Sequence, residues 1–393
     1  MEAVYRRIKH ALYHNNLYIG IIFFQKMDVY NKSKLAFHEE KIRALAKGEI
    51  SAPIYVRIKP TNRCNHHCFY CSYAPGSDCP VSETINPRDE IPREKMLEVL
   101  ADFRDIGVKA VTFSGGGEPL MHPYIEEFFR KTLDYGIELS AITNGQNLSG
   151  DIARLLSQSE WVRASIDSCD AETFHKSRRV PKKLFGRLTQ NLAFFSGMKK
   201  RDCELGINFI VHELNTKQVF QAARFFKEFG ANHIKFTPRY IRDYQKFLDY
   251  HSQTKANVEE QIAKARAELT DPSFSVYDTY HVDFSLSAYP ERNYSRCYIM
   301  QTVPVIGADS VLYACHDKTY TRNGAIGDIR LVPFKTLWFD EETAKRFREF
   351  NIKERCRHHC TYDTTNLNAA KMISDIEHLG KYKPPTERHK NFI

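Results

Sequence analysis

The stretch IYVRIKPTNRCNHHCFYC (54–71) decides how the rest of the chain is read. Its opening, IYVRIKP (54–60), is rich in β-branched and aromatic residues and reads as a strand. Its end, RCNHHCFYC (63–71), gathers Cys64, Cys68 and Cys71 just past that strand. Strand patterns recur downstream at KAVTFSGGG (109–117), IELSAITNG (137–145), WVRASID (161–167), LGINFIVH (205–212) and HIKFTP (233–238). Helical patterns separate them at 93–106, 123–135, 150–158, 183–198 and 215–229.

Six strands in regular βα alternation imply a parallel sheet with right-handed crossovers. The expected fold is α/β, a partial (β/α)6 TIM-like barrel over residues 51–240, with its chemistry at the C-terminal strand ends. Strand one ends in the cysteine triplet, strand two in SGGGEP, strand three in TNG and strand four in SIDSC. All four converge on one mouth. A Rossmann sheet fits less well, because SGGGEPL lacks the GxGxxG spacing.

Around this core, residues 1–50 read as a helical segment, with KSKLAFHEEKIRALAKGEI closed by Gly48. Residues 241–290 read as a connector, charged and helical at first, then rich in aromatic residues. Residues 291–393 carry Cys297, Cys315, Cys356 and Cys360. The 393 residues are 42% hydrophobic and 27% charged, the composition of an ordinary globular enzyme. A formal charge of +9 suggests an anionic partner such as a phosphate or nucleotide, though scattered solvated lysines would give the same balance. No run of like charge is long enough for a nucleic-acid tail. The apolar run LYIGIIFF (17–24) is too short to span a bilayer, and no signal peptide is read. The expected location is cytoplasmic. Thiols stay reduced there, so ten cysteines read first as metal ligands.

Spacing alone leaves zinc and iron–sulfur equally open for the triplet. Zinc would need a fourth ligand, from Cys79, His66 or His67. An iron–sulfur cube lacking one protein ligand keeps an iron open for a substrate. The order of motifs goes further. CxxxCxφC with Tyr70 at φ, followed by GGGEP, TNG and SID at successive strand ends, resembles the radical S-adenosylmethionine (SAM) superfamily over residues 54–240.

That resemblance implies a 4Fe–4S cluster on Cys64, Cys68 and Cys71, whose free iron chelates S-adenosylmethionine. It implies Tyr70 near the adenine, although loop packing explains a tyrosine there as well. It puts Gly116, Gly117 and Glu118 on the methionine amino group, and Ser165 and Asp167 near the ribose or carboxylate. Thr143 and Asn144 would line the same mouth, while Asn-Gly is equally a routine turn pair. Arg178, with Arg179 beside it, would pair with the methionine carboxylate.

The second cysteine set lies around RCYIMQTVPVIGADSVLYACHD (296–317), which reads as a hairpin turning at Gly307–Asp309, and CRHHC (356–360). It resembles the shortened SPASM, or twitch, domain. The resemblance implies one auxiliary 4Fe–4S cluster on Cys297, Cys315, Cys356 and Cys360, with no open iron. A four-cysteine zinc ribbon is the alternative, with His316, His358 and His359 nearby. Cys203 reads as a core hydrophobe. Cys169 follows strand four, where a thiol can return a hydrogen atom to a product radical or simply pack.

The function implied is reductive cleavage of S-adenosylmethionine to a 5′-deoxyadenosyl radical. That radical takes hydrogen from a small, anionic substrate such as a nucleotide-linked sugar, in an oxidation, epimerisation or deoxygenation. A flavodoxin or ferredoxin would supply the electron. Modification of a ribosomal peptide is the alternative, and residues 1–50 are too short for a winged-helix leader-binding module. A zinc protein binding nucleic acid is the alternative of another class. It has no need of the barrel pattern or of GGGEP.

Overall fold

The computed structural model describes residues 29–74, 82–241, 244–280, 292, 294–356, 360–375 and 387–393, and for Tyr244 the backbone alone. Cys79, His358, His359 and the run 17–24 lie outside the described residues. Within residues 1–50, a 3-10 turn at Lys34–Phe37 leads into helix α1 (Glu39–Lys47), which Gly48 ends in the left-handed region at φ 74°.

The strands expected from the sequence form as β1 (Tyr55–Ile58), β2 (Ala110–Phe113), β3 (Glu138–Thr143), β4 (Trp161–Ser165), β5 (Glu204–Val211) and β6 (His233–Pro238). They lie side by side in chain order, every pair parallel. The helices between them are α2 (Arg93–Ile106), α3 (Ile125–Asp134), α4 (Gly150–Leu156), α5 (Ala171–Arg178), α6 (Lys183–Met198) and α7 (Val219–Glu228). The fold is thus α/β with a parallel sheet, a partial barrel.

Alternation along the strands sorts its two faces. Val56, Ile58, Val111, Phe113, Leu139, Val162, Ile207, Phe209, Ile234 and Phe236 are buried in the main apolar core, with Phe103, Phe128 and Phe129 of the helices. Their strand neighbours Arg57, Thr112, Ser140, Arg163 and Lys235 are polar and take the other face. On that face Tyr55 Oη donates to Thr112 Oγ1 at 2.6 Å, and Thr112 Oγ1 meets Ser140 Oγ at 2.5 Å. The lumen is therefore polar, not a packed apolar core.

The sheet goes further than six strands. Helix α8 (Tyr244–Leu269) runs through the stretch read as a connector and delivers β7 (Ser275–Asp278), which pairs parallel with β6. Its four residues, SVYD, gave too short a pattern to read as a strand. On the other side β8 (Val305–Ile306) pairs parallel with β1, and β9 (Val311–Tyr313) and β10 (Ala325–Asp328) continue antiparallel. The hairpin turning at Gly307–Asp309 forms where the sequence placed it. It extends the barrel sheet rather than standing apart, giving ten strands in the order β10-β9-β8-β1-β2-β3-β4-β5-β6-β7. Short helices α9 (Phe334–Trp338), α10 (Glu341–Arg348) and α11 (Ile352–Arg355) and the longer α12 (Asp363–Ser374) follow. Among the described residues no helix is long and apolar enough to cross a membrane.

Candidate active site

The loop after β1 carries the cysteine triplet and is braced from two sides. On one side, the turn after β2 donates from Gly117 N to Thr61 O at 3.2 Å and from Glu118 N to Arg63 O at 2.8 Å. A Cβ at Gly116 would lie 2.2 Å from Asn62 Oδ1, and one at Gly117 2.1 Å from Arg63 O. Glycine is needed here so that two loops can touch backbone to backbone. On the other side, the end of α5 accepts from the loop, His67 N to Arg178 O at 2.9 Å and Phe69 N to Ser177 O at 3.3 Å.

Glu118 is 2% exposed and tied to the end of β3. Its Oε1 accepts from Thr143 Oγ1 at 2.6 Å and Leu120 N at 3.1 Å, and its Oε2 from Asn144 N at 2.7 Å. Asn144 Nδ2 in turn donates to Asn65 Oδ1 in the cysteine loop at 2.7 Å. Burial pushes the Glu118 carboxyl up to about 7, against the pull of those donors. Desolvation and then this carboxylate raise the Cys64 thiol, which places Glu118 beside the triplet. Three protein donors leave Oε2 one free lone pair for a ligand ammonium.

A second polar cluster sits behind Cys68. The fully buried Asp167 accepts from Arg178 Nε at 2.8 Å and meets His212 Nε2 at 3.0 Å. Arg178 Nη2 donates to Ser165 O at 2.8 Å, and Nη1 reaches Cys68 Sγ at 3.4 Å. Burial alone would raise the Asp167 carboxyl, but Arg178 and then His212 hold it well below the usual carboxylate range. Tyr70 stacks on His212 with ring centroids 5.2 Å apart, and its hydroxyl is buried beside Asp167. Arg178 is thus engaged with Asp167 and a cysteine sulfur, and Asp167 with Arg178, before any ligand enters. Arg179 is exposed and closes α5 at φ 53°.

The structure brings Cys64, Cys68, Cys71, Tyr70, Gly116, Gly117, Glu118, Thr143, Asn144, Ser165, Asp167 and Arg178 to the ends of β1–β4. Cys169 is set apart from these contacts. It packs against the apolar core, its thiol donating to Gln218 Oε1 at 3.8 Å, and burial followed by Asp170 pushes the thiol up to about 11. Asp170 itself caps α5, accepting from Glu172 N and Thr173 N at 2.8 Å each.

Cys297, Cys315, Cys356 and Cys360 line one small cavity closed by Tyr294, Met300, Phe350, Ile352 and Tyr362. Burial raises the thiols of Cys68, Cys297, Cys315, Cys356 and Cys360, so each is protonated unless a metal takes the proton's place. Among the described residues, no three His, Cys, Asp or Glu side chains gather tightly enough to hold a single metal ion. A cube puts each thiolate on its own iron, so its ligands ring a cavity without meeting at one point. The donor sets, three thiols at the mouth and four around a largely apolar cavity, fit that group.

Sequence reading missed His212 and Asn65. His212 follows β5 directly, so its place at a strand end was the available signal. Asn65 lies inside the cysteine motif and nothing in its local pattern marks it.

Residues 58–225 match the family model described as the radical SAM superfamily. The chain is 33% identical over 130 residues to the S-adenosylmethionine-dependent nucleotide dehydratase of Flammeovirga pacifica, covering 33% of this chain and 41% of that one. It is 28% identical over 183 residues to the AdoMet-dependent heme synthase of Methanosarcina barkeri, covering 46% and 49%. The chain thus spans less than half the length of these relatives. In structure it is similar to SuiB of Streptococcus suis bound to S-adenosylmethionine, with a TM-score of 0.59 at 18% identity over 93% of this chain and 81% of that one. The strand ends that carry the polar clusters all lie within the matched span or at its edge, and residues 58–225 carry a radical SAM domain.

Proposed function

We propose that this protein cleaves S-adenosylmethionine reductively and uses the resulting 5′-deoxyadenosyl radical to take hydrogen from a small anionic substrate. The observation that carries the reading is the convergence of three cysteines, a buried carboxylate with one free lone pair and an Arg–Asp–His cluster at adjacent strand ends. When bound, a 4Fe–4S cluster on Cys64, Cys68 and Cys71 supplies the electron, delivered by a flavodoxin or ferredoxin. The chain's own residues do the rest. Glu118 offers Oε2 to the methionine ammonium, with Gly116 and Gly117 keeping the cysteine loop against it. Thr143 and Asn144 hold Glu118 in place. Arg178 donates toward Cys68 Sγ, and Asp167 and His212 fix its orientation. Ser165 holds the same guanidinium through its carbonyl, and Tyr70 closes the loop over this cluster.

Cys297, Cys315, Cys356 and Cys360 would hold an auxiliary 4Fe–4S cluster in their cavity, with no position left for substrate. Substrate oxidation, epimerisation and deoxygenation all remain within this chemistry. The placement of Cys169 beside Gln218, away from the other mouth residues, favours a redox outcome over hydrogen return from that thiol. The name of the Flammeovirga pacifica relative, a nucleotide dehydratase, supports a nucleotide-type substrate.

The test is anaerobic reconstitution. The wild type should hold about eight irons, two cubes of four, and form 5′-deoxyadenosine on reduction. Replacing Cys64, Cys68 and Cys71 together by Ala should leave about half the iron and no cleavage. Cleavage retained in that triple variant would sink the reading.

A further inference from the structure

The polar face of the sheet encloses a cavity of about 310 Å³, lined among others by Arg57 of β1, Arg163 of β4, Lys235 of β6, His316 and Tyr362. That volume falls in the range of small-molecule sites. Arg57 Nε and Arg163 Nε are buried without a hydrogen-bond partner, and among the described residues neither guanidinium pairs with a carboxylate. Arg163 lies over the Trp161 ring at 5.8 Å, and Lys235 over the Tyr30 ring at 5.0 Å. Just past the end of β1, the fully buried Lys59 donates to two neutral acceptors, Tyr73 Oη at 2.8 Å and Gly115 O at 3.1 Å. Arg57, Arg163 and His316 line this one cavity together.

Glu204, Glu138 and Asp317 nearby already accept hydrogen bonds from other groups. Glu204, on the cavity floor, pairs with Arg388 at 2.8 Å and sits 3.5 Å from His389 Nε2. Glu138 accepts from Asn391 Nδ2 at 2.5 Å. Asp317 accepts from Thr361 N at 2.9 Å and from its hydroxyl at 3.0 Å.

We propose that this lumen is an anion site, in which Arg57, Arg163 and Lys235 hold the phosphate or diphosphate of the substrate. Both arginines are half-buried with an Nε that is buried and unpartnered, and an anion in the cavity would supply the missing acceptor and the counter-charge. Planar guanidinium forks suit tetrahedral oxyanions, and several cations suit a group carrying two or more charges. Lys59, just past β1, donates to Tyr73 two residues beyond Cys71, which places the lumen next to the cysteine loop. The assignment rests on the proposed function for the identity of that molecule as substrate, and on the lumen alone for its anionic group.

Titration calorimetry of the full, anaerobically reconstituted chain with pyrophosphate, without reductant, tests the site. Saturable binding is expected, weakened about ten- to a hundredfold in Arg163→Gln and less in Arg163→Lys, which keeps the charge and loses the fork. The ligand-free Arg163→Gln protein should melt at or above the wild-type temperature, because an uncompensated charge is gone. A lower melting temperature with unchanged pyrophosphate binding would make Arg163 structural and overturn the site. Should Arg163→Gln fail to fold, Arg163→Lys decides, and wild-type affinity there overturns the fork. Citrate binding as tightly as pyrophosphate overturns the phosphate assignment. Pyrophosphate binding without S-adenosylmethionine cleavage would remove the proposed function and leave the anion site standing. Cleavage without pyrophosphate binding would do the reverse.

Discussion

Glu118 shows how much a single carboxylate can carry. Its two oxygens terminate hydrogen bonds from Leu120 N, Thr143 Oγ1 and Asn144 N, joining the ends of β2 and β3 under the cysteine loop. Glu118→Gln puts an amide N–H where an acceptor is required. Thr143 can turn its hydroxyl to accept, but one backbone N–H, of Leu120 or Asn144, then loses its partner. The variant should lose about 1–3 kcal/mol of stability, visible as a lower urea midpoint at unchanged slope. It should also bind S-adenosylmethionine more weakly. An unmoved midpoint would mean these bonds are dispensable and the carboxylate serves the ligand alone.

Residues 387–393 form a plug at the N-terminal end of the strands. Phe392 packs edge-on between Tyr55 and Trp161, at 5.3 Å from each ring centroid. Arg388 and His389 meet Glu204 at the start of β5. Burial would raise the Glu204 carboxyl, but His389 and its neighbours hold it down at about 2. For His389, Glu160 and Glu204 outweigh burial and raise the imidazole above 6.5. The two groups have opposite signs. Glu204, depressed on folding, contributes above its unfolded value near 4.5 and loses that contribution as the pH falls toward about 2. His389, raised on folding, contributes fully below about 6.5 and loses it as the pH rises through its folded value. Amide exchange at residues 387–393 should therefore be slowest between about pH 4.5 and 6.5, after correction for intrinsic rates. His389→Gln should abolish the alkaline limb of that profile. A wild-type profile flat from pH 5 to 8 would count against the histidine. Phe392→Ala should destabilise the protein by about 3–5 kcal/mol through the space it leaves.

The chain's two tryptophans report on regions far apart in sequence. Trp161 opens β4, whereas Trp338 closes α9, buried against Phe334 and Phe347 with its Nε1 donating to Ser51 O at 3.0 Å. Because β8 pairs with β1 in one continuous sheet, these regions should unfold together. Single-tryptophan variants, Trp161→Phe and Trp338→Phe, should give coincident denaturation midpoints by fluorescence and far-ultraviolet circular dichroism. Two separated midpoints would mean that residues 291–393 fold as an independent unit.

Strand and helix positions were legible because they follow from local periodicity, which needs no knowledge of distant residues. The cysteines, GGGEP and TNG were legible because a βα barrel sends every strand end to the same face. Helix α5 was missed because it is short, and its start depends on the Asp170 cap rather than on an apolar stripe. Tertiary structure alone decided that Asp167 meets His212, 45 positions away, and that Asn62 accepts from Tyr320 Oη, 258 positions away. It alone joined β8 to β1 and β7 to β6, so that stretches outside the six expected strands form edges of the same sheet. The alternation in IYVRIKP already put Arg57 and Lys59 on one strand face. Whether that face met solvent, carboxylates or an enclosed lumen depended on the side chains that other strands brought opposite it.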